Sequence, residues 1–397
     1  IWTRIGPLFV LLIASISTVS GQDDTRFPLL DEPVTLKGEE VQNAFKTTKV
    51  ANLQSIEMID AGVFDFTIRS GGEVQFNSKL SLRNATRTYN PGYNLEVVAG
   101  GSVRVGGVLD VSGATNGDGY LSLPVAGIVS MVIGGDLLVL GTGQVLSRGI
   151  SNTYRSSSNN FNGGPGGSQS YVVSGGVELR LGSVLSSVGG GSDRSGSYTT
   201  IGGVGGSIGI SAVNGVLLRG SIQSGGGNGY QGGLGGSLTL SSSASYVDYG
   251  GVLSSAGGDG YSSVVNGGKG GNISISGFGG LSLRGDVNAS VGLGVGFGGN
   301  INLSDGNGVL TSGGGVNDGL VGGVLRGRDV TKLGAGVLGM SGGNAYTGLT
   351  NVSAGKVYLL QAESIPNTSA LSLATGTELD MGGVSESVGS LAGSGKV

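Results

Sequence analysis

The chain has no cysteine and no histidine among its 397 residues, and it has only 7 prolines, 1 tryptophan, 6% aromatic and 12% charged residues. The first two absences remove whole classes of chemistry. There is no Ser-His-Asp or Cys-His nucleophile, no imidazole or thiolate metal site, no disulfide and no haem held by His or Cys. No cofactor is expected, and any chemistry must run on carboxylates, Lys, Arg, Tyr and hydroxyls. Scarce proline, with glycine not recurring at every third residue, excludes collagen. The balance of 22 basic and 26 acidic residues, net −4, is no polyelectrolyte of the disordered kind. Its scattered Lys and Arg also argue against nucleic acid, which needs a concentrated basic face. What is abundant is glycine, at 86 residues.

Residues 1–21 place Arg4 before an apolar run from Leu8 to Ile16 and end on small and polar residues at Val19-Ser20-Gly21. That order is read as a secretory signal peptide cleaved after Gly21. The run is shorter than the roughly 20 residues that span a bilayer. No later segment is long and apolar enough to do so, so the mature chain is expected to be exported without a transmembrane segment. Because the chain starts with Ile1 rather than Met, its N-terminus is expected to be that of a fragment. An exported chain without cysteine folds without disulfide staples.

Self-similarity organises the rest. A block of the form Gly-Gly-x-Gly-Gly-Ser/Asn-Ile/Leu-x-Ile/Leu runs over Gly202–Ile210, Gly232–Leu240 and Gly267–Ile275, with a shortened copy at Gly296–Leu303 and a degenerate one at Gly163–Ser168. Its second glycine pair begins at Gly166, Gly205, Gly235, Gly270 and Gly298, giving spacings of 39, 30, 35 and 28. A second block alternates with it, at Gly182–Ser187, Gly220–Ser224, Gly251–Ser255 and Gly285–Ala289, with earlier copies at Gly107–Ser112 and Gly143–Ser147. Apolar residues inside each unit recur with period two, as in Ile208, Ile210, Val216, Leu218 and Ile222, so each unit holds two or three short strands. One unit cannot bury its apolar face alone, whereas stacked units align Ile on Ile into a continuous core. The expected fold is all-β, a right-handed parallel β-helix (β-solenoid) with Gly-rich corner loops. About a dozen coils after residue 60, about 4.8 Å apart, would make a rod roughly 55 Å long. Corner glycines would supply positive φ and close backbone approach, and the column Ser207, Ser237, Asn272, Asn300 is suited to an inward or corner-facing polar ladder. Residues 22–60, more charged and poor in glycine, read as an N-terminal cap over the open edge; 61–325 hold the Gly-rich repeats and 326–397 continue the helix.

The most specific pattern is Lys332-Leu-Gly334-Ala-Gly336, then Ser341-Gly342-Gly-Asn344-Ala-Tyr346-Thr-Gly348-Leu-Thr350, then Ala354-Gly355-Lys-Val-Tyr-Leu359. It resembles the autotransporter-associated β-strand repeat, or passenger-associated transport repeat, of bacterial type V secreted proteins. The resemblance covers about 68 residues and departs from the family at Leu333 and at Gly339, where a strand residue is usual. It implies an exported passenger at the bacterial cell surface, of right-handed β-helix form, acting as an adhesin or structural stalk, with the C-terminal repeat aiding secretion and vectorial folding. An outer-membrane translocator barrel is expected with such a passenger and is not in this chain, so either the chain continues past Val397 or export takes another route.

No catalytic, cofactor-binding or metal site is assigned. Tyr120, Tyr154, Tyr198, Tyr230, Tyr261 and Phe297 recur in the variable loops, where aligned rings would stack on sugars or on another cell's surface, or else fold over the Gly-rich corners. Arg180, Arg219 and Arg284, each near a repeated glycine, would bind acidic glycans or form a solvated face. Tyr198, Tyr230, Tyr261, Arg219 and Arg284 are therefore the candidate ligand contacts. The rival class is a secreted β-helical polysaccharide lyase or hydrolase, for which Asp248, Asp259, Lys269, Arg284 and Asp286 are the nearest cluster, spread over different loops. Asn116-Gly-Asp118-Gly and Gly258-Asp259-Gly are too short to specify calcium.

Overall fold

A computed structural model describes residues 36–37, 46–47, 50–53, 56–59, 65–77, 79–82, 92–113, 125–151, 162–192, 200–261, 266–278, 281–283, 285–305, 319–321, 325–326, 329–333, 335, 337–340 and 343–397. The signal-peptide reading of residues 1–21 lies outside them, as do Tyr120, Tyr154, Tyr198, Arg284, Gly334, Gly336, Ser341 and Gly342. Every described element is a strand, and the strands form three sheets of 13, 12 and 10 members. Each coil as far as Leu325–Arg326 contributes one strand to each sheet in turn, as Val129–Ile133, Leu137–Val139 and Gln144–Leu146 do. Successive coils pair in parallel. The molecule is a parallel β-helix, and 13 stacked strands at about 4.8 Å make a rod roughly 58 Å long. Within residues 22–60, the strands Leu36–Lys37, Lys46–Thr47, Val50–Leu53 and Ile56–Ile59 are the first members of the three sheets.

Register follows the repeat seen in the sequence. Gln169 pairs with Ile208, Ile208 with Leu238, Leu238 with Ile273 and Ile273 with Ile301. These steps of 39, 30, 35 and 28 equal the spacings of the glycine blocks. Strands alternate buried and outward residues, so Ile210, Leu240, Ile275 and Leu303 stack along one inner column of the 13-stranded sheet. Each such side chain contributes about 1.5–3 kcal/mol by leaving water. Where the neighbouring column through Ile208 turns polar it is satisfied: Gln169 donates to the carbonyls of Val145 at 3.1 Å and Ser186 at 3.0 Å, and accepts from the Tyr171 hydroxyl at 2.8 Å.

The expected ladder Ser207, Ser237, Asn272, Asn300 faces outward, with the Asn300 amide donating to Asn272 Oδ1 at 2.9 Å. A buried ladder exists elsewhere, in Ser147, Ser187, Ser224 and Ser255, each the residue directly after one of four successive strands of the 10-stranded sheet. Ser147 Oγ donates to the Gly167 carbonyl at 2.6 Å, Ser224 Oγ to that of Gly236 at 3.0 Å, and Ser255 Oγ also to that of Gly236.

Those acceptors belong to a layer made of backbone. In Ile201-Gly-Gly-Val204-Gly-Gly-Ser207 the lettered residues are exposed and the glycines buried. A burial period of three is that of an extended polyproline II segment rather than a strand. Segments entering and leaving successive coils interleave, so amide bonds of 2.8 to 3.0 Å run from Gly190 to Gly164, Gly203 to Gly190, Gly227 to Gly203, Gly233 to Gly227 and onward to Gly292. A Cβ at Gly206 would overlap the carbonyl of Gly167, and one at Gly236 that of Gly206. These glycines permit close approach; among the described residues positive φ falls at other glycines, such as Gly182 and Gly355 at their turns.

Candidate functional site

Two sets of residues singled out by the sequence are brought together, one outside the rod and one inside. On the outside, Tyr230 and Tyr261 belong to successive coils, their backbones joined by a 3.1 Å bond from the Tyr261 amide to the Tyr230 carbonyl. Their rings stack with centroids 6.0 Å apart and planes 14° from parallel. Tyr261 is 57% exposed, so the pair offers an aromatic surface at the far end of the glycine layer. Arg219 lies elsewhere, at the end of Val216–Leu218. Its Nη2 meets Asp248 Oδ2 at 2.6 Å, and Nη1 donates to the carbonyls of Leu218 and Asp248 at 3.3 Å. Its guanidinium lies across Gly250, where a Cβ would meet Nη1 at 3.2 Å. Arg180 pairs with Glu178 at 2.9 Å. Asp259 Oδ1 accepts the Leu293 amide at 2.9 Å, and Lys269 is exposed on the incoming glycine segment. Asp248, Asp259 and Lys269 thus sit on three different elements. Among the described residues no group of three or more carboxylates is gathered as a metal cage, and no helix is long and apolar enough to cross a membrane.

The inner set is the C-terminal motif. Lys332 takes a core position in Val330–Leu333, 2% exposed, below Leu303 of the preceding coil. Its ammonium donates to the carbonyls of Leu333 at 2.8 Å and Ala354 at 3.4 Å. Asn344 Oδ1 accepts the Leu325 amide at 2.9 Å, while Nδ2 donates to the Ser364 carbonyl at 2.7 Å. The Tyr346 hydroxyl and Thr350 Oγ1 lie 2.7 Å apart, Thr350 Oγ1 and Ser369 Oγ 2.8 Å apart, and Ser369 Oγ donates to the Gly348 carbonyl at 2.7 Å. Gly355 makes its turn at φ +72°. Sequence reasoning missed Ser364 and Ser369. Their signal was the coil length, since they stand 20 and 19 residues after Asn344 and Thr350.

Past this motif the coil changes. Ile301 pairs with Val330, 29 residues on, whereas Val330 pairs with Thr350, Thr350 with Leu371 and Leu371 with Leu391 at steps of 20, 21 and 20. The 10-stranded sheet ends at Leu325–Arg326, and among the described residues the later coils supply only two strands each.

The ionisable groups here predict a flat pH response. The Asp380 carboxyl is held below its ordinary 3.8, chiefly by a hydrogen bond from Lys356 and then by the Gly382 amide. Lys356 is held above its ordinary 10.5, chiefly by Asp380. The depressed carboxyl adds stability above pH 3.8, lost as pH falls through its folded value; the raised ammonium adds stability below pH 10.5, lost as pH rises through its folded value. Burial raises the Tyr346 phenol, so its contribution is complete below its ordinary 10.0 and lost above it. With no histidine in the chain, the thermal midpoint should be level between about pH 5 and 9 and fall on either side. A midpoint moving by more than a few degrees inside that window would contradict it.

Comparison with family models, with curated proteins and with solved structures returns no match, so the likeness to the autotransporter-associated repeat rests on residues 330–397 themselves.

Proposed function

We propose that the chain is an exported bacterial surface protein, the passenger of an autotransporter, acting as an adhesin or structural stalk. The observation that best supports this reading is the buried assembly of Lys332, Asn344, Tyr346 and Thr350, the residues that carry the repeat resemblance, into one run of short coils. A leader-like segment at residues 1–21 agrees with it. Stacked coils suit export through a pore, because each emerging coil finds a preformed edge to pair with. Under this reading the C-terminal coils are the seed for vectorial folding.

The test is to produce the full gene product in a Gram-negative host and treat intact cells with protease. Rod fragments should be released from the cell surface, the mature N-terminus should lie near Gln22, and deletion of residues 330–397 should lower surface yield at least tenfold. Retention inside the cell with residues 1–21 still attached would refute export. The rival reading, a polysaccharide lyase or hydrolase, requires paired carboxylates or a carboxylate-bound calcium with an Arg base, whereas Asp248 is engaged by Arg219 and Asp259 by the Leu293 amide on another element. Release of new chain ends from a polysaccharide by the purified protein would establish that rival.

A further inference from the structure

We infer that one broad face of the rod is a docking platform for an ordered, uncharged polysaccharide. This rests on the surface-protein reading and names its partner. The face is built by chain geometry alone. In a single coil Ile201, Val204 and Ser207 point outward from the glycine layer with period three, and Gly209, Ser211 and Val213 point outward from the strand that follows with period two. No turn interrupts residues 202–212, so both rows share one side. Coils starting at Asn162, Gln231 and Asn266 repeat the arrangement in register, and the one starting at Val295 joins it from Phe297 onward, its glycine segment being one residue shorter. Five coils give a surface roughly 38 Å wide and 24 Å high. That area, about 900 Å², matches what one partner contributes to a stable specific complex.

Its chemistry selects the occupant. Among the described residues Lys269 is the one charged residue at the outward positions of these five coils, where a soluble surface carries roughly 25–35% charged residues. A face with a single charge gives little to phosphates, acidic glycans or anionic membranes. Its middle is hydroxyl and amide, in Ser170, Thr239, Ser274 and Asn302, and its margins are apolar, with Leu234 50%, Phe297 67% and Phe278 56% exposed. Protein interfaces have the opposite plan, an apolar centre and a polar rim, which disfavours a second copy of this chain. Regular rows of hydroxyls about 4.8 Å apart, flanked by ring faces, fit packed sugar chains that present their own hydroxyls and C–H faces in regular rows. The stacked Tyr230–Tyr261 pair extends the aromatic margin.

The probes are microcrystalline cellulose and chitin in co-sedimentation, with heparin–agarose beside them. The purified wild-type chain should sediment with at least one neutral matrix and pass through heparin. In the test variant Gly209→Lys with Ser274→Lys, two ammonium groups rise from the middle of the face, two coils apart. A Cβ at Gly209 meets nothing within 4 Å, so Gly209→Lys alone is the control that keeps the fold. The double variant should lose at least tenfold in bound fraction and the single variant at least threefold, with unchanged circular dichroism. Absence of wild-type binding to both neutral matrices, equal binding by the variants, or a wild-type dimer that the variants dissociate would each overturn the inference. Protease treatment of intact cells reads export separately, so a displayed rod that ignores both matrices refutes the platform and leaves the surface-protein reading standing.

Discussion

Gly206→Ala should abolish or nearly abolish folding, while Gly209→Ala, three residues along the same chain, should leave the protein as stable or slightly more so. At Gly206 the new methyl would overlap the carbonyl of Gly167 in the coil behind. Relief requires parting two coils whose amides are bonded on both sides, Gly206 to the Ser187 carbonyl and Gly236 to that of Ser224. No side chain can rotate away, because the obstacle is backbone. The expected cost is about 4 kcal/mol or more, in the range reserved for disruptions of a packed core. At Gly209 a Cβ meets nothing within 4 Å, and replacing a strand glycine by alanine gains about 0.5–1 kcal/mol of backbone entropy. Urea titration followed by circular dichroism measures both. Equal effects would mean that the glycine layer is not held by close approach, and the interleaving of segments would have to be abandoned.

That contrast also marks how far the sequence was readable. Spacings of 39, 30, 35 and 28 between glycine blocks are the pairing steps of the 13-stranded sheet, because a coil that must place Ile on Ile and glycine on glycine can absorb length changes only in its loops. The role of those glycines was half legible. A Gly-Gly-x triplet reads as a corner when strands are sought, yet its burial period of three makes a straight segment. Serine columns were the harder case. Ser207 and Ser224 look alike in sequence, but Ser207 is exposed where period three gives way to period two, and Ser224 is fully buried as the next inward position after Ile222 of Ser221–Gln223. Arg219 was singled out for a glycan and Asp248 for catalysis, while the coil step of 29 residues between them sets them 2.6 Å apart. Such partners are fixed by loop length, which local motifs do not encode.

Asn344→Leu should cost about 4 kcal/mol, and the damage should stay at one end of the rod. Leu325–Arg326 is the last strand of the 10-stranded sheet, so its outer edge needs a partner. Asn344 supplies it with one side chain, accepting the Leu325 amide at 2.9 Å, while the Ala345 amide donates to the Leu325 carbonyl at 2.9 Å. The other half of the amide serves the Ser364 carbonyl at 2.7 Å in the next coil, and Tyr346, 1% exposed, fills core space beside it. Leucine keeps the bulk but strands one buried N–H and one buried C=O, each costing about 1–3 kcal/mol. Asn344→Asp keeps the acceptor but buries a carboxylate against the Ser364 carbonyl, so a loss at least as large is expected at neutral pH. Contacts in a solenoid reach only neighbouring coils; hydrogen exchange should therefore quicken at Leu325, Ala345 and the strands after Thr350, and be unchanged from Val129 to Leu240. Loss spread evenly along the rod, or a cost below about 1 kcal/mol, would show that Asn344 does not close the third sheet. If the localised result is found, the motif's Asn and Tyr act as a terminator that converts coils of 28 to 40 residues into coils of 20 and 21. A two-strand coil needs fewer residues to emerge before it can pair with its neighbour, a property that suits the end proposed above as the seed for folding.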